Sequence, residues 1–315
     1  MSPVSSSLRA VFMGTPSFAV VSLDALLTAG VRLQAVYTQA DKPAGRGRAL
    51  APPPVKIRAL DAGLRIHQPA TLRAPEVLED LKALAPDVIV VAAYGKLLPQ
   101  DVLDIPCLGC VNVHASLLPR HRGASPIAHA IWAGDETVGV SLMRMEAGLD
   151  TGPVYAARGI PMPGGATTGL LTPVLARLGA GLLLETLEGL EKGTAAPKAQ
   201  DDSLATLAPR LKADQGKLDF SLTAPQLERQ IRAFDPWPGT YFEFHGERIK
   251  VLSSAVGSLS PEGSSPGDVM SGPGLTVACG GGTTLILRTL QRAGKRPLPS
   301  SEVLRGFKIP AGARL

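Results

Sequence analysis

Short apolar runs alternate with amphipathic stretches through the first half of the chain, and this alternation constrains the fold more than any other feature. Residues 8–14 (LRAVFMG) are apolar, 17–30 (SFAVVSLDALLTAG) have helical periodicity, and 87–95 (DVIVVAAYG) form another apolar run. Buried strands separated by helices are typical of a parallel sheet with helices on both faces. We therefore predict such a sheet, to which 109–114 and 138–145 add further strands.

Two changes in residue composition and periodicity along the chain predict the domain organisation. Leu and Ala recur at helical spacing from Thr167 to Gly193, which predicts a long helix that closes the first domain. Residues 194–212 are polar and contain proline without clear periodicity, so we interpret them as a linker. Short β-type runs separated by Gly, Pro and Ser then predict a small barrel. The predicted fold class is α/β, with a Rossmann-like parallel-sheet domain over 1–193 and an OB-like β-barrel domain over 213–315.

Composition and cysteine usage favour a cytoplasmic protein. The chain has 315 residues, which suffices for two cores, and no apolar run approaches the roughly 18 residues of a membrane span. Its N-terminus lacks the pattern of a secretory signal. Cys107, Cys110 and Cys279 form an odd set without a second ligand pair, which favours packing over disulfide, redox or metal roles. The five histidines show no metal-ligand spacing either, and we expect no metal.

The excess of positive charge is concentrated near the C-terminus. Residues 210–315 carry 14 basic and 9 acidic side chains, whereas the preceding part of the chain is balanced. Such a field suits a phosphate backbone, or equally a merely soluble surface. The long loop 38–56 could likewise hold phosphates or be a solvated insertion. Its basic residues are Lys42, Arg46, Arg48 and Lys56.

The turn after the first strand disfavours NAD and ATP as ligands. Gly14 stands there without the further glycines of GxGxxG, and no GxxxxGK[ST] loop occurs in the chain. We interpret the turn as a tight strand-to-helix connection with Ser17 as the helix cap.

Two polar side chains end the apolar run at 109–114. Asn112 and His114 are two positions apart, so on a strand they project from one face, about 7 Å apart. At the carboxyl end of a parallel strand, that face borders the crevice where open α/β sheets bind ligands. An Asn amide can donate to an oxyanion, a His can move a proton, and a carboxylate such as Asp150 can orient the His. From these residues alone, simple hydrogen bonding to a nearby loop remains an alternative.

The ordered motifs FMGTP, TQADKPAGRGR, AYGKLLP, NVHASLLPRHRGASPI and GLDTG resemble the folate-dependent formyltransferases. In that family an Asn, a His and an Asp serve the transfer, and those positions are filled by Asn112, His114 and Asp150. The resemblance continues into LERQIRAFDPWPGTYFE and LPSSEVLRG, so it covers nearly the whole chain. Lys42 stands where the family commonly has Arg, and His121 where Trp is frequent.

The resemblance implies an activity and its substrates. A formyl group would pass from 10-formyltetrahydrofolate to the α-amino group of methionine esterified to initiator tRNA. Asn112 and protonated His114 would hold the oxyanion, and Asp150 would orient His114. The expected partners are folate and tRNA but no membrane, and the expected state is a monomer. The expected folate-binding residues are Tyr94, Gly95, Ser116, Leu117, Leu118, Pro119, Glu146, Gly148 and Leu149, and the expected tRNA-binding residues are Lys42, Arg46, Arg48, Lys295 and Arg296.

Two other functions stay open at this point. The same chemistry could formylate a small amine, a sugar nucleotide or glycinamide ribonucleotide, although the basic C-terminal domain and the PAGRGR loop favour tRNA. A protein that keeps the fold and only binds RNA is the second alternative, and the intact Asn112, His114 and Asp150 argue against it.

Overall fold

The structure is a computed structural model that describes residues 7–44 and 49–315. The strands are β1 (Arg9–Gly14), β2 (Arg32–Tyr37), β3 (Lys42–Ala44), β4 (Ala49–Ala51), β5 (Ile66–His67), β6 (Val88–Ala92), β7 (Cys110–His114), β8 (Thr137–Arg144), β9 (Val154–Pro161), β10 (Thr240–Phe244), β11 (Glu247–Leu259), β12 (Val269–Met270), β13 (Leu275–Cys279), β14 (Thr283–Arg292) and β15 (Leu298–Pro299). The helices are α1 (Ser17–Thr28), α2 (Pro54–Asp61), α3 (Pro75–Ala83), α4 (Gln100–Leu103), α5 (Pro126–Ala133), α6 (Thr168–Glu191), α7 (Ala224–Ala233) and α8 (Ser300–Gly306), with 3₁₀ turns at Asp202–Leu204 and Ala213–Gly216.

The chain forms two compact units whose segments interleave. The first unit contains the described residues up to Pro126 together with Thr137–Pro161 and Thr172–Pro209. The second unit contains the remainder, Ile127–Glu136, Met162–Leu171 and Arg210–Leu315. This division differs from the predicted boundaries because two short N-terminal segments group with the C-terminal part. Most of the segment that we predicted to be a linker lies in the first unit.

The first unit is built on a seven-stranded sheet in the order β5-β2-β1-β6-β7-β8-β9. The first five strands in this order run parallel, β8 is antiparallel to β7, and β9 is antiparallel to β8. The predicted α/β class with a parallel-dominated sheet is confirmed, but β8, which we predicted as a further strand of the parallel sheet, runs in the opposite direction. A buried strand has the same apolar pattern whichever way its neighbour runs, so the sequence did not reveal this reversal.

Helix α6 packs closely on one face of this sheet. A Cβ on Gly179 would lie 2.7 Å from a methyl carbon of Val113 and 3.1 Å from one of Val140, so glycine lets helix and sheet approach. Because side chains alternate along β7, this face is opposite to that of Asn112 and His114. Within the described residues, α6 is also the one helix with the length and composition to cross a bilayer, and half of its most apolar window is buried inside the protein.

The turn between β1 and α1 depends on close packing. A Cβ on Gly14 would lie 2.7 Å from Cβ of Ala19 and 3.0 Å from the carbonyl oxygen of Ala92. The predicted cap at Ser17 is wrong, because Pro16 occupies the N-cap position and Ser17 is the first helical residue. Proline at this position favours the extended conformation in which the chain enters the helix.

The second unit is built on an antiparallel sheet in the order β10-β11-β14-β13-β12, with β15 paired to β14. The register between β11 and β14 shifts at three places, and such irregularities let a long strand bend. Helix α7 contributes Leu227 and Ile231 to a core that also contains Phe242 and Leu287. The predicted OB-like β domain is confirmed as a curled antiparallel sheet, whose hydrogen-bonded order has β10 and β12 at its ends.

Candidate active site

Strand β7 carries Asn112 and His114 near the middle of the first sheet. Its neighbours are Val91 of β6 beside Asn112, and Met143 and Ser141 of β8 beside Asn112 and His114. The Asn112 side chain is 9% exposed, and within the described residues it has no hydrogen-bond partner. A nearly buried amide that is not used by the fold retains its donor for another molecule.

Both ring nitrogens of His114 face acceptors of the protein. Nε2 lies 3.0 Å from the carbonyl oxygen of His121, and because a carbonyl only accepts, Nε2 is the donor. Nδ1 lies 3.6 Å from Oδ2 of Asp150, which is longer than a hydrogen bond. The His114 ring is thus fixed on its Nε2 side and faces a carboxylate on its Nδ1 side.

Asp150 reaches His114 from an unexpected direction. Strand β8 ends at Arg144, which pairs with Val111 near the start of β7, so the following loop has to return along β7. Asp150 has a φ of +52°, a left-handed conformation that Asp and Asn adopt more readily than other residues with a side chain. Its Oδ2 also accepts a hydrogen bond of 2.8 Å from the backbone N–H of Gly123. The carboxylate is therefore held between His114 and the loop at 120–123.

The loop after β7 is anchored by side chains and glycines. Ser141 accepts from the backbone N–H of Leu118 at 3.0 Å and donates to the carbonyl of Ser116 at 2.8 Å. Leu117 lies over a cross-strand glycine pair of β8 and β9, where a Cβ on Gly139 would come within 2.6 Å of its methyl carbon. The expected folate-binding residues Ser116 to Pro119 thus lie directly after His114, in a segment packed on β8.

Residues 198–208, which we call the strap, pack on the loop at 120–125. Arg122 donates its backbone N–H to Thr206 and accepts from the N–H of Ala208, at 2.8 and 2.7 Å. Gly123 has a φ of +124°, and a Cβ there would lie 2.7 Å from the carbonyl oxygen of Ala208. Only glycine satisfies both the conformation and this close approach. The strap, which lies within the predicted linker 194–212, is therefore packed tightly against this loop.

Gln200 and Arg122 were missed by the sequence analysis. The Arg122 side chain is 7% exposed and donates to Oε1 of Gln200 and to Oδ1 of Asp202, and the Gln200 amide donates to the carbonyls of Asp150 and Gly152. The RG pair in NVHASLLPRHRG was the one available signal for Arg122. Gln200 lies in a polar segment without periodicity, so no pattern in the sequence indicated a role for it.

The other expected folate-binding residues lie in two segments. Tyr94 is 1% exposed in the core, where burial raises the pKa of its hydroxyl to about 12, so its backbone is the part that remains for binding. Its carbonyl already accepts from Thr15 and Gln39, at 3.0 and 2.9 Å. Gly95 follows with a φ of +79°. Glu146, Gly148 and Leu149 are exposed in the loop that carries Asp150.

The expected tRNA-binding residues fall in three places. Lys42 is exposed at the start of β3, and its ammonium contacts Oε1 of Gln39. Arg46 and Arg48 lie outside the described residues. Lys295 and Arg296 are exposed in the turn between β14 and β15 of the second unit. Lys56 of the same basic loop is bound instead to the carboxylate of Asp41, at 2.8 and 2.9 Å.

The cysteines do not form a nucleophilic or metal centre in the part of the chain that the structure describes. Cys110 and Cys279 are buried, and burial raises the pKa of each thiol to about 12, so both stay protonated at neutral pH. Cys107 is exposed at the opposite end of β7 from His114. No group of three or more His, Cys, Asp or Glu side chains suited to a metal ion occurs among the described residues.

Comparison with known protein families identifies the family of this chain. A family model described as formyl transferase matches residues 8–187, and the model of the formyl transferase C-terminal domain matches residues 210–308. The chain belongs to the formyl transferase family. The first family match contains Asn112, His114 and Asp150, and the strap lies between the end of the first match and the start of the second.

Curated relatives of this formyl transferase match over nearly their whole length. The methionyl-tRNA formyltransferase of Rhizorhabdus wittichii is 50% identical over 309 residues, covering 98% of both chains. The methionyl-tRNA formyltransferase of Ectopseudomonas mendocina is 49% identical over 300 residues, covering 94% of both. Among solved structures, HypX from Aquifex aeolicus in complex with tetrahydrofolic acid has a TM-score of 0.62 at 19% identity. The match covers 98% of this chain and about half of HypX, and it supports the fold.

Proposed function

We propose that the protein transfers the formyl group of 10-formyltetrahydrofolate to the α-amino group of methionyl initiator tRNA, giving N-formylmethionyl-tRNA. The observation that supports this proposal most directly is the near-full-length identity of 45–50% to relatives that carry the name methionyl-tRNA formyltransferase. The placement of Asn112, His114 and Asp150 supplies the chemistry. The protein would act in the cytoplasm, where initiator tRNA is charged and used.

The reaction requires stabilisation of negative charge on the formyl oxygen. Esterification of the methionine carboxyl lowers the basicity of the α-amine, so a fraction of it is an uncharged nucleophile near neutral pH. Attack of this nitrogen on the formyl carbon moves an electron pair onto the formyl oxygen. Collapse of the tetrahedral species breaks the bond from the formyl carbon to N10 of folate. N10 then takes up one proton, and the amine loses one.

Asn112 and His114 would stabilise the oxyanion. The Asn112 amide has no partner among the described residues, so it can donate without losing an existing bond. Since Nε2 of His114 is bound to the His121 carbonyl, Nδ1 is the ring nitrogen that remains for the substrate. Asp150 faces Nδ1 at 3.6 Å, so its carboxylate lies on the side of the ring from which His114 would donate. Hydrogen bonds that are long in a free enzyme commonly tighten when the substrate binds.

The residues around this site fit a folate. The segments after β6 and β7 and the loop carrying Asp150 provide backbone groups for a pterin and exposed apolar side chains for its rings, including Leu97 at 77% and Leu149 at 53% exposure. We assign folate binding to the segments that contain Tyr94, Ser116 and Leu149. As part of this proposal, catalysis belongs to the predicted domain over 1–193 and tRNA binding to that over 213–315, although Ile127–Glu136 and Met162–Leu171 group with the second unit.

A transfer assay with labelled 10-formyltetrahydrofolate tests the function. The label should enter methionyl initiator tRNA, and it should not enter free methionine or a nucleotide-linked amino sugar. Incorporation into the amino sugar but not the tRNA would replace this proposal with a sugar formyltransferase. Binding of tRNA without any incorporation would leave only an RNA-binding protein.

We expect Asp150→Asn to lower kcat about ten- to thirtyfold. His114 and Asp150 are 3.6 Å apart in the free protein, and the substitution would weaken the charged hydrogen bond that they would form with substrate bound, worth roughly 1.5–2 kcal/mol. Asparagine tolerates the left-handed backbone and can still accept from Gly123, so the change removes mainly the charge that faces His114. Steady-state kinetics with saturating tRNA measure the effect. A kcat within twofold of the wild type would show that Asp150 does not act on His114.

We expect the double change Arg46→Ala and Arg48→Ala to weaken tRNA binding about tenfold or more and to reduce the slope of log K against log salt by about 2. Each arginine would otherwise contact a phosphate in the acceptor arm. The matched control is Arg65→Ala with Arg73→Ala, which removes the same charge from exposed positions outside this loop. Equal tRNA affinity and equal slope in both double variants would exclude the loop from tRNA binding.

A further inference from the structure

We propose that Gln200 is a positioning residue that joins the two loops of the catalytic site and thereby sets the distance between Asp150 and His114. This inference rests on the proposed formyl transfer, and it assigns a function to a side chain that does not itself touch the reacting atoms. Gln200 belongs to the strap, which lies within the segment predicted to be a linker.

The Gln200 amide contacts both loops at once. Its Nε2 donates to the carbonyl of Asp150 at 2.8 Å and to that of Gly152 at 2.7 Å. Its Oε1 accepts from Nε and Nη2 of Arg122 at 3.1 and 2.8 Å. All four hydrogen bonds have normal lengths, so this one side chain connects the loop carrying Asp150 to the loop at 120–123.

Each loop depends on this connection for a different reason. Asp150 has a left-handed backbone and lies outside the sheet, so its carbonyl is not paired with a neighbouring strand. It accepts a hydrogen bond from the Gln200 amide instead. Arg122 is nearly buried, and a buried guanidinium is stable only when acceptors surround it. Gln200 and Asp202 supply those acceptors, but the Asp202 side chain is 81% exposed and water competes for it. Gln200 is thus the shielded partner.

The hydrogen bonds of Gln200 reach the two groups that contact the His114 ring, the carbonyl of His121 and the carboxylate of Asp150. On one side of Arg122, the carbonyl of His121 accepts from Nε2 of His114. On the other side, the N–H of Gly123 donates to the Asp150 carboxylate. Both groups lie within one residue of Arg122, so movement of Arg122 would move the two contacts that orient the imidazole and the carboxylate. Gln200 therefore acts on catalysis through Arg122 and Asp150.

Replacement by methionine tests this role, because Gln200→Met keeps the length of the side chain and removes all four hydrogen bonds. We expect kcat to fall about tenfold or more, since small displacements of reacting groups have effects of this size, while KM for both substrates changes less than threefold. The matched control is Gln100→Met in α4 of the same unit, where the amide's one hydrogen bond among the described residues is to the carboxylate of Asp104. We expect this control to keep the wild-type kcat.

A double-mutant cycle separates positioning from general destabilisation. If Gln200 acts through Asp150, then Gln200→Met combined with Asp150→Asn should have nearly the kcat of Asp150→Asn alone. If the kcat of the double variant is instead reduced by the product of the two single reductions, Gln200 supports the fold without positioning Asp150. This result would overturn the proposal. If Gln200→Met does not fold, Gln200→Glu replaces it, because it keeps the Arg122 contact and loses the donors to Asp150 and Gly152. A wild-type kcat in that variant would also overturn the proposal.

An NMR measurement distinguishes failure of this inference from failure of the proposed function. In protein labelled with ¹⁵N-histidine, Gln200→Met should shift the ring signals of His114, and Gln100→Met should not. An inactive wild-type enzyme whose His114 signals respond in this way would contradict formyl transfer but support the positioning role. An active wild-type enzyme whose His114 signals and kcat are unchanged by Gln200→Met would contradict only the positioning role.

Discussion

Replacing His114 with alanine is expected to lower kcat about a thousandfold, while KM for 10-formyltetrahydrofolate changes little. The imidazole is the group that faces both Asp150 and the His121 carbonyl, and in the proposed reaction it donates to the oxyanion and moves protons. Loss of a donor that acts only in the transition state lowers kcat rather than ground-state binding. Single-turnover kinetics with excess enzyme would measure the chemical step directly.

The stability of the His114→Ala variant has to be measured alongside its activity. The substitution leaves the carbonyl of His121 without its donor in a buried position, which is expected to lower the free energy of unfolding by about 1–3 kcal/mol. A variant that remains folded at the assay temperature and binds folate with wild-type affinity makes the kinetic result interpretable. Normal turnover in such a variant would exclude His114 from the chemistry.

Replacing Asn112 with leucine is expected to lower kcat a hundred- to a thousandfold without lowering stability. Removal of one preformed donor to an oxyanion typically has an effect of about this size. Leucine has the same number and branching of side-chain heavy atoms, and the Asn112 amide has no partner within the described residues, so no hydrogen bond of the fold is lost. Burial of an apolar side chain in place of an unpaired amide should instead keep or raise the unfolding temperature.

Ser22 offers a matched control for this prediction. Its hydroxyl in α1 is buried and has no hydrogen-bond partner among the described residues, so Ser22→Ala removes an unpaired polar group from the same unit. Both variants should be at least as stable as the wild type, but only Asn112→Leu should lose activity. A large drop in unfolding temperature for Asn112→Leu would mean that the amide serves the fold, and its low activity would then have a structural cause.

Much of the fold was predictable because hydrophobic periodicity reports burial. The buried strands β1, β6 and β7 and the long helix α6 lie close to the positions predicted for them. Strand β9 was missed, because most of its residues are exposed or half-buried at the edge of the sheet and give little apolar signal. Burial also carries no information about the direction in which a strand runs, and for this reason the antiparallel direction of β8 was not predicted.

The candidate site was predictable only where its residues are close in the sequence. Asn112 and His114 are two positions apart on one strand, so their common face follows from the geometry of a strand. Asp150 was selected by its motif, and the structure brings it next to His114 by a route that the sequence did not indicate. The catalytic and binding roles of all these residues remain predictions that the variants above test.

The amino-acid sequence by itself determined the α/β class, the β-rich C-terminal unit and the shared face of Asn112 and His114, because these depend on local periodicity and on burial. Only the tertiary structure decided how the site is held together. Gln200 meets Asp150 across 50 residues and Arg122 across 78, and hydrogen bonds between distant segments leave no periodic pattern in a sequence. A polar side chain in an irregular segment looks the same whether it is solvated or holds two loops in place, and only its contacts distinguish the two.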